Sequence, residues 1–358
     1  MQNNIFSQVL TVGPQYRNHR GGIGAVLASY AGQVKHFPFL ASYDGRYGSL
    51  KNNLLFPLVL LKLVAMLTVN RNIKIVHIHG ASKGSFYRKY LIFLIAKFLF
   101  GKKVVYHLHS GEFHNFYEHT SGLIKGRIHH ITKRVDSFIC LSPHWENYLK
   151  SHFKIQRLII LNNPVELPQS FQKTEDKNSF HTFLYLGLIL EKKGIFDLLQ
   201  VIAQNKQTLK DRFQLIIGGD GDTKRLKGYI EDNNLSGLVQ FVGWVSGEQK
   251  KALLSKCDVL ILPSYNEGLP ISILEAMANS KAILSTKVGG IPAIVKDNEN
   301  GFLVEPGNLK VMEERIDWII NHPEEVEKMG KDSLVKVQPY LTNSVMQSLQ
   351  AEYQFLLN

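Results

Sequence analysis

The chain has 358 residues, 44% of them apolar and 20% charged, which excludes a disordered tail and, at roughly 150 residues per domain, allows two cores. Forty-two Lys and Arg against 30 Asp and Glu give +12, and the excess lies in one half: residues 1–165 carry 21 basic and 5 acidic side chains, the remainder 21 and 25. The first half is expected to meet something anionic. Twelve of the fourteen His also lie there, so mild acidity is expected to make it more positive still.

Cys140 and Cys257 stand far apart and outside any C-x-x-C spacing. That excludes a disulfide framework or a thiolate zinc site, suits a reducing compartment, and reads as two core thiols. Met1 to Val12 lacks a basic segment followed by a long apolar one, so no secretory signal is expected and the location is expected to be cytoplasmic.

In chain order, strands are predicted near Phe6–Val12, Ile73–His79, Lys103–Leu108, Ser137–Leu141 and Leu158–Asn162. They continue near Thr182–Gly187, Gln214–Gly218, Val239–Val242, Val259–Leu262, Ala282–Ser285 and Gly301–Val304. Nearly continuous apolar strands alternating with helical patterns imply parallel sheets covered on both faces, hence two doubly wound α/β domains. The predicted division is 1–165, a polar Pro-containing linker at 166–180, 181–335, and a final segment 336–358.

Two apolar stretches are checked as membrane spans. Leu54–Val69 is interrupted by Pro57 and Lys62, and Tyr90–Phe100 by Lys97, so both fall short of the roughly 18 to 20 apolar residues that a span needs. Both are expected to be buried helices. The second is flanked by Lys83, Arg88, Lys89, Lys102 and Lys103, which makes an anionic lipid surface a candidate partner of this half.

In such folds ligands bind at the carboxyl ends of the strands. After the first strand, Gly13-Pro14 and Arg20-Gly21-Gly22-Ile23-Gly24 lead into a helix, a turn whose backbone can approach a diphosphate or a sugar. The G-x-G-x-x-G frame fails, because Leu27 and Lys224 stand where its last glycine would fall. His77/His79 and His107/His109 end two predicted strands. Without a nearby carboxylate no metal is expected, and His77 and His107 read as satisfied core residues. His109, just before Ser110-Gly111-Glu112, can hydrogen-bond a sugar hydroxyl.

In the second half, Gly187 closes a strand before Glu191-Lys192-Lys193-Gly194. A lysine at such a turn can neutralise a diphosphate leaving group; Lys193 is the first choice and Lys192 the reserve. The most informative segment runs from Pro263 to Ala278. Pro270 suits the first turn of a helix, leaving Glu267 in the loop and Glu275 within the helix. On one continuous helix the two would lie about 80° apart, so they converge on a ligand only if the loop turns Glu267 back. The N–H groups near Gly268 and Leu269 offer an anion site, and carboxylates beside it suit hydroxyls. A ligand with a central diphosphate and hydroxyls at both ends has the shape of a nucleotide sugar.

The stretch Glu267 to Glu275 resembles the E-x7-E motif of the family 4 retaining glycosyltransferases of GT-B fold. Gly187 with Lys193-Gly194, Gly218 to Gly221, Gly243-Trp244-Val245, Val288 to Pro292 and Asn300 to Val304 match as well, and more thinly Gly21-Gly22-Ile23 and His109. The resemblance implies two Rossmann-like domains facing across a cleft and a final helix crossing back onto the first domain. It implies that Glu267 contacts the donor sugar's hydroxyls and Glu275 the ribose. Lys193 would hold the diphosphate, Gly22 border the reaction centre, His109 touch the sugar, and the residues after Gly243, Val245 among them, line the base. Gly268, Leu269 and Pro270 complete the expected donor site. Leu188 stands where many relatives have arginine, which shifts diphosphate binding towards Lys193.

The function expected on this basis is retaining, metal-independent hexosyl transfer without a cofactor, from a nucleoside-diphosphate sugar to a saccharide, in bacterial surface polysaccharide synthesis. The acceptor is expected to be lipid-linked and bound by the basic half, at the inner face of the cytoplasmic membrane. The alternatives are a nucleotide-sugar epimerase of the same fold and a non-enzymatic nucleic-acid-binding protein. Nucleic acid is not an expected partner, since no recognised module for it is present.

Overall fold

The computed structural model describes residues 5–17, 21–168 and 181–358. Arg20 of the first glycine-rich turn, and residues 169–180 of the expected linker, lie outside them. The chain forms two compact units, Met1–Pro164 with Thr342–Asn358, and Val165–Leu341.

The first unit opens on a 3-10 turn, Ile5–Gln8, before β1 (Val9–Pro14), α1 (Gly22–Gly32) and β2 (Phe39–Tyr43). Next come α2 (Ser49–Val69), β3 (Ile75–Gly80), α3 (Gly84–Leu94), a π-helical turn Ile95–Leu99, and β4 (Lys103–Leu108). Helices α4 (Phe113–Glu118) and α5 (Gly122–Arg134), β5 (Ser137–Cys140), α6 (Pro143–His152) and β6 (Leu158–Ile160) complete the sheet. All its pairs are parallel, in the order β2-β1-β3-β4-β5-β6. The chain reverses direction across the sheet between β1 and β3, which makes that gap the switch point where a doubly wound sheet binds ligands.

The second unit contains β7 (His181–Leu186), α7 (Ile195–Gln204), α8 (Lys206–Leu209), β8 (Phe213–Gly218), α9 (Thr223–Asp232) and β9 (Val239–Gly243). It continues through α10 (Gly247–Lys256), β10 (Val259–Leu262), α11 (Ile271–Ala278), β11 (Ala282–Thr286), α12 (Ile291–Ile294) and β12 (Gly301–Val304). Helices α13 (Leu309–Asn321) and α14 (Pro323–Lys336) close it. This sheet is also parallel, in the order β12-β11-β10-β7-β8-β9, with its switch point between β7 and β10. The last helix, α15 (Thr342–Leu357), belongs to the first unit, where it packs on α1. There Glu352 accepts a forked pair of bonds from Arg157 at 2.7–3.1 Å.

Both sheets follow from buried, β-branched strands: β3 and β10 are buried throughout. The strand not predicted, β2, lies at an edge and alternates half-buried and buried residues, so no continuous apolar run marks it. The first strand starts later than expected and runs to Pro14, opposite Tyr43 across an irregularity in register. A strand end on β2's side accommodates a residue that donates no ladder bond.

The expectation that Leu54–Val69 is a buried helix is not met. Helix α2 runs unbroken through Pro57, buries Asn52, Phe56, Leu63 and Leu67 against the sheet, and leaves Leu50, Leu54, Leu58 and Leu61 in solvent. It is long and apolar enough to cross a membrane. Its place as the β2-to-β3 crossover, with Leu63 fully buried in the core, ties it to the sheet instead. The second apolar stretch is mixed in the same way: Ile92, Phe93 and Ala96 are buried while Leu91, Phe98 and Leu99 are exposed.

Candidate functional site

The carboxyl edge of the second sheet is a chain of loops locked to one another. Gly219 N–H donates to the Gly243 carbonyl at 2.8 Å and Gly187 N–H to Gly218 at 3.1 Å, joining the ends of β9, β8 and β7. Val245 is buried and lies against Gly218, where a Cβ would meet its methyl at 2.8 Å. After β7 a 3-10 turn, Glu191–Lys193, is stopped by Gly194 in the left-handed region, at φ 66°. A Cβ on Gly194 would stand 2.0 Å from the Pro263 carbonyl, so the β7 and β10 loops touch backbone to backbone.

The β10 loop is fixed from three further sides. Tyr265 N–H donates to the Lys192 carbonyl at 2.9 Å, Gly290 N–H to Gly268 at 2.8 Å, and the Thr286 hydroxyl to Ser264 at 2.5 Å. Gly289, at φ 52°, passes so close to Glu267 that a Cβ would fall 1.9 Å from its carbonyl oxygen. The Tyr265 hydroxyl donates to Asp197 at 2.7 Å, and that bond, with burial and the nearby carboxylate charges, raises its pKa to about 12.

This frame delivers two side chains to the switch point. Lys193 Nζ, from the β7 loop, donates to Glu267 Oε1, from the β10 loop, at 2.5 Å; the Ser264 hydroxyl donates to the same oxygen at 2.7 Å. Glu267 is 8% exposed. The loop therefore turns Glu267 inward, against Lys193, the lysine that the sequence reading favours for the diphosphate. An ammonium that spends one of three N–H bonds on a carboxylate keeps two for an anion, and the carboxylate keeps lone pairs for hydroxyls.

Helix α11 starts one residue later than predicted, with Pro270 as its N-cap rather than in its first turn. Gly268, Leu269 and Pro270 are all buried. Glu275, within α11, is held by Lys250 of α10. Lys250 was missed by sequence reading because Glu248-Gln249-Lys250-Lys251 has the look of a solvated face. Lys192 and Leu188 are exposed, and the Leu188 carbonyl accepts the buried Tyr185 hydroxyl at 2.8 Å.

The carboxyl edge of the first sheet carries different chemistry. Gly22 begins α1, capped by Gly21 at φ 139°, and is exposed. His77, His79 and His107 are fully buried, and their ligand-capable atoms lie within 4.8 Å of one another. His77 Nδ1 pairs with the Tyr353 hydroxyl at 2.6 Å and His79 Nδ1 with His109 Nε2 at 2.9 Å. His107 and His109 rings lie 4.0 Å apart. Contrary to expectation, His107 is buried but not satisfied: neither of its ring nitrogens has a hydrogen-bond partner among the described residues, and His77 is satisfied at Nδ1 alone.

Burial lowers His77 and His109 to about 3, partly offset at His109 by a side-chain hydrogen bond with Asn163, and lowers His79 and His107 well below the ordinary value. These four rings stay neutral in mild acid and do not add to the positive charge as expected. Among the described residues no carboxylate joins the three buried rings to balance a divalent ion, and the Lys89 ammonium acts on His79.

Lys89 itself is a surprise. It is 2% exposed, donates to the Ser42 hydroxyl, and Ser42 passes the bond on to the Gly13 carbonyl at 3.0 Å. Burial, aided by Arg88, lowers its pKa to about 7. A lysine under the first loop could not be told in sequence from the basic flank of an apolar helix.

Comparison with known proteins matches two consecutive family models: Glycosyltransferase Family 4 over residues 26–168 and Glycosyl transferases group 1 over residues 167–334. The chain belongs to this glycosyltransferase family. It is 31% identical over 212 residues to an uncharacterized glycosyltransferase of Methanocaldococcus jannaschii, covering 58% of this chain and 57% of that protein. It is 32% identical over 139 residues to the amylovoran biosynthesis glycosyltransferase AmsK of Erwinia amylovora, 36% of this chain and 33% of that one. The chain thus spans under three fifths of the length of these curated relatives.

Among solved structures, sucrose-phosphate synthase from Thermosynechococcus elongatus matches with TM-score 0.81 at 18% identity, over 98% of both chains. Anabaena HepE in complex with UDP-glucose matches with TM-score 0.78 at 18% identity, over 97% and 99%. At that identity the likeness establishes the fold, two Rossmann-like α/β units of GT-B class.

Proposed function

We propose that the protein is a retaining, metal-independent glycosyltransferase. It moves a hexose from a nucleoside-diphosphate sugar to a saccharide acceptor, itself lipid-linked, in the assembly of a bacterial surface polysaccharide such as O-antigen, capsule or exopolysaccharide. The observation that carries this reading is the Lys193–Glu267 pair at the switch point of the second sheet. It offers a cation to a diphosphate beside a carboxylate suited to sugar hydroxyls. Glu275, on the helix that follows, supplies a second carboxylate for the ribose, and Gly187 and Val245 line the adjoining loops towards the base.

In the proposed reaction the bond from the anomeric carbon to the diphosphate oxygen breaks, and its electron pair leaves with the diphosphate. An acceptor hydroxyl attacks the same face and passes its proton to the departing phosphate oxygen. Lys193 stabilises the charge that develops on the leaving group. His109, neutral and backed by His79, is a hydrogen-bonding group for a sugar. The UDP-glucose complex of HepE makes UDP-hexoses the first donors to test, and the name of AmsK supports a polysaccharide product.

The test is turnover of UDP-, GDP- and ADP-hexoses with saccharide and lipid-linked acceptors in EDTA, with the product's anomeric configuration read by NMR. Expected are acceptor-dependent release of one nucleoside diphosphate and a product with the donor's configuration. Inversion, a metal requirement, or conversion of donor without acceptor would overturn the reading, the last in favour of an epimerase.

A further inference from the structure

The outer face of α2 is apolar where a soluble helix is polar. Leu50, Leu54, Leu58 and Leu61 are between 60% and 75% exposed. At about 100° per residue they fall within a stripe about 80° wide, with Ala65 and Thr68 along the same arc and Pro57 about 20° beyond its edge. No charged residue stands on its midline; Lys51 and Lys62 run along one border. The stripe from Leu50 to Leu61 is about 16 Å long. The neighbouring helix α3, which packs on α2, and the π-turn after it also expose apolar side chains, Leu91, Phe98 and Leu99.

Charge decides what covers this face. From residue 46 to 134 the chain carries fifteen Lys and Arg against two carboxylates, Glu112 and Glu118. A second copy docked here would bring the same positive field against itself. An anionic bilayer supplies both what the leucines need and the charge that the lysines seek.

We propose that the leucine stripe of α2 docks the first unit onto an anionic lipid surface, the leucines entering the boundary between headgroups and acyl chains and Lys51 and Lys62 meeting lipid phosphates. The helix lies in the interface and does not cross it, because its other face carries the core residues Phe56, Leu63 and Leu67. The leucine face would seat the unit on the lipid surface whichever sugar is transferred.

Co-sedimentation of the full chain with vesicles tests it. The wild type is expected to pellet with phosphatidylcholine vesicles containing phosphatidylglycerol, less so as salt is raised. Leu54→Glu/Leu58→Glu is expected to lower the partition coefficient by roughly ten-fold or more, with unchanged melting and nucleotide binding. Lys51→Glu/Lys62→Glu is expected to lower it by roughly five-fold for each residue at low salt. Equal pelleting with pure phosphatidylcholine would overturn the anionic assignment. Unchanged pelleting of the leucine variant would overturn the surface, as would a wild-type dimer that this variant converts to monomer, which would make the face a self-interface.

Discussion

The two units share one plan, a six-stranded parallel sheet reversing at a switch point, and differ in what they place there. In the second unit the switch point holds an ammonium against a carboxylate, Lys193 and Glu267, in a frame of backbone contacts at Gly194 and Gly289. In the first, the corresponding strand ends hold glycines and four imidazoles kept neutral by burial. A charged rim suits a phosphorylated ligand and an uncharged one suits hydroxyls. The architecture is common to both, and the division of labour lies in the side chains at the strand ends.

The comparison breaks most readily by deleting one rim at a time. Lys193→Ala is expected to cost roughly 100-fold or more in kcat/KM, the scale of losing a charged stabiliser of a leaving group. His109→Ala is expected to cost roughly ten-fold, the scale of a single neutral hydrogen bond, with nucleotide affinity unchanged. Steady-state kinetics on both variants decides; equal losses, or a loss of nucleotide affinity in His109→Ala, would contradict the assignment of the donor to the second unit.

A second difference is sharpened by acid. Unfolded imidazoles take up protons near pH 6.5. The buried rings do not until about pH 3 for His77 and His109. Protonation therefore favours the unfolded chain, so this stability is complete above about pH 6.5 and lost as pH falls towards 3, by up to about 1.4 kcal/mol per pH unit for each ring. Hydrogen exchange between pH 7 and pH 5, corrected for intrinsic rates, should show Ile75–Gly80 and Lys103–Leu108 losing protection while Val259–Leu262 keeps more of its own. Equal loss in the two sheets would contradict it.

How much was legible in sequence follows the same physics. Parallel strands buried almost throughout announce themselves, even at a sheet's edge; three were predicted to the residue, the inner Lys103–Leu108 and Val259–Leu262 and the edge strand Gly301–Val304. The edge strand Phe39–Tyr43 did not, since one side of it meets less of the core. The string from Pro263 to Ala278 carried the donor reading because a loop glutamate, a proline at the helix start and a helical glutamate stand in fixed order. Lys250 and Lys89 were invisible, because a lysine's partner or burial is set by residues far away in sequence. The outer face of α2 was misjudged because hydropathy counts leucines without saying which way they point.

The central claim is that the second unit's rim binds a nucleoside diphosphate. Calorimetric titration of UDP, GDP and ADP into the wild type, Lys193→Ala and Glu275→Ala tests it most directly. The account predicts that one diphosphate binds the wild type, and that each variant weakens it roughly ten-fold or more. Absence of binding by all three diphosphates, or equal binding by the wild type and both variants, would contradict it.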